Sequence, residues 1–208
     1  MNNHVTIRLH RFLPVSFSNG PGARFVVWVQ GCSLNCPGCF NPDTHSFDGG
    51  DVVEVDDLFS RVLNLNKSIE GITISGGEPL EQANSLAEFV EMVKTRTQLS
   101  VIILTGFEWE EIMKLIQNNY IEGEIFKNLN KNLVGVKKLL EFTDVIIAGR
   151  YEHNLRISRQ LRGSSNKTIH YLTNRYSPQE FDNLPDAEII IDSSGRLTIT
   201  GIKPPFIM

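Results

Sequence analysis

The stretch Gly71-Ile72-Thr73-Ile74-Ser75-Gly76-Gly77-Glu78-Pro79-Leu80 holds a strand, a turn and a helix start in one short run. Residues 72 to 74 are β-branched, which suits a strand buried on both faces. Two glycines end it, and Pro79 sits where a first helical turn tolerates a missing N–H. From 81 to 96 the apolar residues Ala83, Leu86, Ala87, Val90 and Val93 recur at helical spacing. The stretch is therefore one βα unit, and others flank it. Residues 24–30, Arg-Phe-Val-Val-Trp-Val-Gln, read as a strand that stops at Gly31. After the Gly49-Gly50 turn, Asp56 is placed to cap a helix carrying Leu58, Phe59, Val62 and Leu63 on one face. Residues 101–104 form a third strand, followed by Thr105-Gly106; Trp109, Ile112, Met113 and Ile116 mark a helix, and Leu133, Val136 and Leu140 another. Residues 144–148 give a fourth strand and 168–172 a fifth.

Short apolar strands alternating with amphipathic helices specify right-handed βαβ units, so the fold class is α/β with a parallel sheet. Five strands are too few for a closed eight-stranded barrel, which typically takes about 250 residues. An open, partial β/α barrel is expected, with a core over about 19–173 and a C-terminal β-hairpin over 187–201. The whole of 1–208 reads as one domain, without repeats or a domain-scale linker.

Composition excludes several roles. The chain has 20 Lys and Arg against 24 Asp and Glu, a net charge of −4, and is 41% hydrophobic. Its pI of about 5.7 does not suit a nucleic-acid grip. The longest apolar run is Phe25 to Val29, far below the roughly 18 residues of a membrane span. The start, Met1-Asn2-Asn3-His4, lacks the basic and apolar regions of a signal peptide, so a cytoplasmic location is expected.

Cys32, Cys36 and Cys39 are the only cysteines in the chain. Their odd number and close spacing argue against a disulfide scaffold and for metal or redox chemistry. The C-x3-C-x2-C spacing sets three thiolates on the loop leaving a strand, where they suit zinc or an iron–sulfur cluster. His45 could complete a structural zinc site of three cysteines and one histidine. A four-iron cluster held by three cysteines would instead keep one iron open to another ligand. Spacing alone leaves both readings open.

The residues around the cysteines carry more information. Asn19-Gly20-Pro21-Gly22-Ala23-Arg24-Phe25, followed by Gln30-Gly31-Cys32-Ser33-Leu34-Asn35-Cys36-Pro37-Gly38-Cys39-Phe40-Asn41-Pro42-Asp43-Thr44, strongly resembles the radical S-adenosylmethionine enzymes that activate glycyl-radical enzymes. The activating proteins of anaerobic ribonucleoside-triphosphate reductase and of pyruvate formate-lyase are the nearest likenesses. The resemblance implies that Cys32, Cys36 and Cys39 ligate a 4Fe-4S cluster whose fourth iron binds the amino and carboxylate groups of S-adenosylmethionine. Asn41 and Thr44 match the family pattern, while Asn19 stands where the pyruvate formate-lyase activators usually have Asp.

Ser75-Gly76-Gly77-Glu78-Pro79 resembles the family's Gly-Gly-Glu/Asp-Pro motif, which contacts the amino group of the same cofactor. Glycines permit close backbone approach, and Glu78 could accept a charge-assisted bond from an ammonium group. By composition alone the segment is a turn at a helix start. Thr105 could offer its hydroxyl to the cofactor or simply satisfy a turn. The resemblance thus implies cofactor contacts from Gly38, Phe40, Asn41, Ser75, Gly76, Gly77, Glu78, Pro79 and Thr105, with no acid–base side chain, because the cofactors carry the chemistry.

Gly163-Ser164-Ser165-Asn166 resembles a segment of the reductase activators, whereas Ala148-Gly149 stands where they usually carry Asp-Gly. Residues 150–167 hold Arg150, Arg156, Arg159, Arg162 and Lys167 against Glu152. Such a run is a solvated loop, a surface for an acidic partner, or a cation near the cofactor carboxylate. His153 and His170 read as ordinary polar residues.

The expected protein is a radical S-adenosylmethionine oxidoreductase, a glycyl-radical activase of the anaerobic ribonucleotide reductase type. Its expected partners are a glycyl-radical enzyme as substrate and flavodoxin or ferredoxin as electron donor, with no nucleic acid and no membrane. The alternatives are a radical enzyme acting on a peptide or small heterocycle, as in 7-carboxy-7-deazaguanine synthesis, and a zinc-binding interaction module.

Overall fold

The computed structural model describes residues 4–202; residues 1–3 and 203–208, the ends of the expected 1–208 domain, lie outside the described residues. In chain order the elements are β1 (Thr6–Ser16), β2 (Arg24–Val29), β3 (Asp51–Glu54), α1 (Val55–Leu65), β4 (Gly71–Gly76), α2 (Ala83–Arg96), β5 (Ser100–Leu104) and α3 (Trp109–Asn118). Then come α4 (Lys127–Lys131), α5 (Leu133–Glu141), β6 (Val145–Ala148), β7 (Thr168–Tyr171), α6 (Gln179–Asp182), β8 (Ala187–Ile191) and β9 (Leu197–Gly201).

Seven strands form one sheet in the order β3-β1-β2-β4-β5-β6-β7, and β8 pairs with β9 separately. β2, β4, β5 and β6 are parallel. β1 runs antiparallel to both β2 and β3, and β7 antiparallel to β6. The sheet is thus α/β and mostly parallel, with two corrections to the sequence reading. The fifth expected strand turns back because it follows a loop rather than a crossover helix. The sheet also begins at Thr6, ahead of the expected boundary at 19.

The pleat assigns the two faces. Phe25, Val27, Val29, Ile72, Ile74, Val101, Ile103 and Ile146 point to one core, which α1, α2, α3 and α5 cover. α2 lies at the centre of that layer, packed on α1 and α5. Its Leu86, Phe89, Val90 and Val93 are fully buried, each contributing about 1.5–3 kcal/mol of burial. The opposite face carries Ile102, Val145 and Ile147 against Leu161, Tyr176 and Phe181. α1 starts two residues earlier than expected, with Glu54 rather than Asp56 at its N-cap, and Leu63 is 44% exposed rather than core. Pro79–Gln82 forms a short 3-10 turn ahead of α2.

Buried polar clusters fix the amino ends of the parallel strands. The fully buried Arg24 guanidinium donates to Ser100 Oγ at 2.7 Å, Tyr176 Oη at 3.0 Å, Thr73 Oγ1 at 3.1 Å and the Ile72 carbonyl. Asp144 accepts from Lys94 Nζ at 2.8 Å, the Val101 N–H at 2.8 Å and Thr173 Oγ1 at 2.7 Å. With that end committed to its own network, the carboxyl ends are free to carry a site, as α/β folds generally do.

Candidate active site

The segments leaving β2, β4, β5 and β6 surround a cavity of about 610 Å³, within the usual range of cofactor pockets. Cys32, Cys36 and Cys39 all line it, as do Gly38, Phe40, Asn41, Ser75, Gly76, Gly77, Glu78 and Thr105. Pro79 does not; it is buried behind the wall at the first position of the 3-10 turn.

The backbone locks the two motifs together. The Glu78 N–H donates to the Gly31 carbonyl at 2.8 Å, and the Gly77 N–H to the Val29 carbonyl at 2.8 Å. A Cβ at Gly77 would lie 2.2 Å from the Gly31 oxygen, so only glycine lets the β4 exit pass the start of the cysteine loop. The far end of that loop returns to the same place, with Gly31 N–H donating to Thr44 at 2.8 Å and Cys32 N–H to His45 at 3.1 Å. Gln30 Nε2 donates to the carbonyls of Asp43 and Ser46 at 2.9 and 2.8 Å. Glu81 accepts from the Ser33 N–H at 3.1 Å and from its hydroxyl, tying the loop to the start of α2.

The thiols are half-buried and unpaired with one another. Burial, with Glu78 and Glu81 nearby, pushes the Cys32 thiol up to about 12, and burial also raises Cys39. Cys32 and Cys39 are therefore held as thiols, and metal binding would deprotonate them. The Asn41 N–H donates to Cys39 Sγ at 3.4 Å, a contact that favours a thiolate. Among the described residues no group of three His, Cys, Asp or Glu is gathered as the ligands of one metal ion. A single zinc needs all its ligands at about 2.0–2.3 Å, whereas a cluster gives each thiolate its own iron, a looser demand that three thiols round one cavity fit.

Glu78 is fully buried and accepts from Thr105 Oγ1 at 2.7 Å, Gly106 N–H at 2.7 Å and Leu80 N–H at 2.9 Å. Burial nonetheless raises its carboxyl to about 7. Its carboxylate is a strap from β4 to β5, and the Thr105 hydroxyl is given to that strap. Phe40 is held by the Tyr151 ring at 4.5 Å and the Arg156 guanidinium at 4.6 Å. Gly163, at φ +70°, comes so close that a Cβ would sit 2.8 Å from the Phe40 ring, which explains the glycine of the 163–166 turn. Asn166 Nδ2 closes that turn on the Arg150 carbonyl at 2.8 Å.

Three cations of the 150–167 segment, Arg156, Arg162 and Lys167, line the cavity. Lys167 Nζ donates to the Thr105 carbonyl at 3.4 Å; burial lowers its pKa while Glu78, Cys36 and Cys39 pull it back up. Arg150 instead pairs with Glu111 at 2.9 Å, and Arg159 faces outward. Sequence reasoning missed Glu81 and did not separate Lys167 from its neighbours. Glu81 falls on the first turn after Gly-Gly-Glu-Pro, the one available signal.

Three thiols, a glycine pair and inward cations at the carboxyl ends of parallel strands fit an iron–sulfur α/β protein with room for a cofactor that carries a carboxylate. The family model for the 4Fe-4S single cluster domain matches residues 18–170. The anaerobic ribonucleoside-triphosphate reductase-activating protein of Enterobacteria phage T4 is 32% identical over 163 residues, covering 76% of this chain and 90% of that protein. The protein of the same name from Salmonella typhimurium is 27% identical, covering 80% and 99%. The pyruvate formate-lyase-activating enzyme of Listeria monocytogenes is 29% identical and covers 82% of this chain, which spans only 65% of that enzyme. The crystal structure of QueE from Escherichia coli superposes with a TM-score of 0.42 at 14% identity over 50% of this chain and 54% of that one, too slight a likeness to bear on the fold. The chain belongs to the 4Fe-4S single cluster family, among the radical S-adenosylmethionine activating enzymes, and is an oxidoreductase whose cofactors are a 4Fe-4S cluster and S-adenosylmethionine. Among the described residues no helix is long and apolar enough to cross a membrane.

Proposed function

We propose that the protein generates the glycyl radical of an anaerobic ribonucleoside-triphosphate reductase, with flavodoxin or ferredoxin as electron donor, in the cytoplasm. The observation that carries the choice of partner is the Gly163-Ser164-Ser165-Asn166 turn, which resembles a segment of the reductase activators and packs against Phe40 at the site. The zinc alternative gives way to family membership.

In this reading Cys32, Cys36 and Cys39 hold the cluster, and the chain is one domain whose sheet curves as an open partial barrel around it. With the cluster and S-adenosylmethionine bound, these cofactors would supply the one-electron reductive cleavage that lets a hydrogen atom be taken from the partner's glycine. The chain's own residues orient and shield. The backbone of Ser75, Gly76 and Gly77 receives the cofactor's amino group, while Glu78 and Thr105 hold that turn in place. Gly38, Phe40 and Asn41 wall the cavity beside the cysteines, and Pro79 stiffens the exit from behind. Lys167 and Arg162 supply the positive side, which suits a carboxylate.

The test is anaerobic incubation of reconstituted protein, reductant and S-adenosylmethionine with the reductase of the same organism, read by electron paramagnetic resonance. A glycyl-radical signal on the reductase is expected. S-adenosylmethionine cleavage with no radical on the reductase would overturn the partner assignment.

A further inference from the structure

The β8–β9 hairpin presents aliphatic side chains to solvent. Ile189 pairs with Ile199 and Ile191 with Leu197, so the four share one face, and they are 63, 42, 69 and 55% exposed respectively. Contiguous exposed apolar surface of this kind marks interaction sites. The opposite face is anchored. Glu188 accepts from the Phe17 N–H at 3.0 Å and from the Ser16 hydroxyl, and Thr200 Oγ1 accepts from Asn19 Nδ2 at 2.9 Å. The turn between β1 and β2 thus holds the hairpin with its apolar face outward.

Two further observations indicate what that face meets. Ile199, Thr200, Gly201 and Ile202 line the active-site cavity, so the apolar face runs into the wall of the site. Arg156 and Arg162 line the same cavity, and Arg159, its side chain 68% exposed and 3.7 Å from Asp182, lies on the same basic segment. The family match ends at residue 170, before the hairpin. The surface therefore lies outside the shared family body, as recognition of one particular partner would require.

We propose that this face of the hairpin docks the protein substrate, taking an extended apolar stretch flanked by acidic side chains and guiding it past Ile199 into the cavity. The proposal rests on the activase reading and adds to it the surface that selects the partner. β8 and β9 form a two-stranded sheet of their own, so an outer edge could add a strand of the partner. The apolar face would supply the affinity, and the arginines the orientation and steering.

The test uses full-length protein with its cluster reconstituted, comparing wild type with the Ile191→Ser, Leu197→Ser double variant, neither residue lining the cavity. The anaerobic ribonucleoside-triphosphate reductase is titrated while glycyl-radical formation is followed, and 5′-deoxyadenosine formation without the reductase is measured alongside. The expected result is a half-saturating reductase concentration raised at least tenfold, with partner-free 5′-deoxyadenosine formation unchanged. An unchanged half-saturating concentration overturns the proposal. Accompanied by loss of a dimer in light scattering, it assigns the face to a second copy. If instead removal of residues 203–208 lowers thermal stability, it assigns the face to the chain's own end. Should the double variant lose partner-free activity, the single Ile191→Thr variant is read by the same two measurements. A wild type that makes 5′-deoxyadenosine but no radical on the reductase overturns the choice of the reductase as partner, on which this test rests.

Discussion

Replacing Glu78 with Gln tests the strap across the strand ends. The carboxyl is fully buried and raised from 4.5 to about 7, with burial as the largest cause. In the unfolded chain it ionises near 4.5, so between there and about pH 7 the native protein keeps a proton that the unfolded chain has lost. Its contribution to stability is full below 4.5 and is lost as the pH rises through about 7. At about 1.4 kcal/mol for each pH unit between the two values, the loss comes to about 3 kcal/mol. The Gln variant cannot titrate. Its amide sets a donor against the Gly106 or Leu80 N–H, which makes it less stable than wild type by about 1–3 kcal/mol in acid. That deficit should shrink by about 3 kcal/mol by about pH 8, a relative change in Tm of about 6–12 °C for a chain of this size. Urea and thermal unfolding of the cluster-free, reduced proteins across this range would measure it, since every other titrating group cancels in the difference. Parallel pH profiles for the two proteins would show that Glu78 does not keep its proton in the folded chain.

Gly77→Ala should misplace the cysteine loop, because the added Cβ meets the Gly31 and Thr44 carbonyls at 2.2 and 3.0 Å. We expect loss of S-adenosylmethionine binding by isothermal titration, with secondary structure retained by circular dichroism. Asp144→Ala leaves the Val101 N–H and the half-buried Lys94 ammonium without their acceptor, so urea unfolding should show a loss of about 3 kcal/mol. The amount of 5′-deoxyadenosine formed per folded molecule should stay the same, since Asp144 lies at the amino ends of the strands.

The parallel core was legible because its strands are buried on both faces and its helices on one, which leaves opposite periodicities in the sequence. β1 was not legible. Thr6–Ser16 mixes Arg8, His10, Arg11 and Pro14 with apolar residues, and its burial follows partners on both sides rather than any composition of its own. β3, four residues long, is a strand only because β1 is there to pair with it. In the site, the cysteines and the Gly-Gly-Glu-Pro turn announce themselves by spacing. Which lone pairs of Glu78 are already engaged does not appear in a sequence, so a residue read as facing an ammonium group proves tied to Thr105, Gly106 and Leu80. Lys167 differs from Arg159 only in where the chain turns, which Gly163 and Asn166 decide through contacts with Phe40 and Arg150.

The proposed activity depends on the loop of Cys32, Cys36 and Cys39 supporting radical cleavage of S-adenosylmethionine. Anaerobic reconstitution with iron and sulfide, followed by dithionite and S-adenosylmethionine, tests it through the 5′-deoxyadenosine measured by mass spectrometry, with Cys36→Ala as control. Four irons per chain and product are expected in the wild type, and no product in the variant. A wild type that holds the full cluster and makes no product, or product that survives in Cys36→Ala, would contradict it.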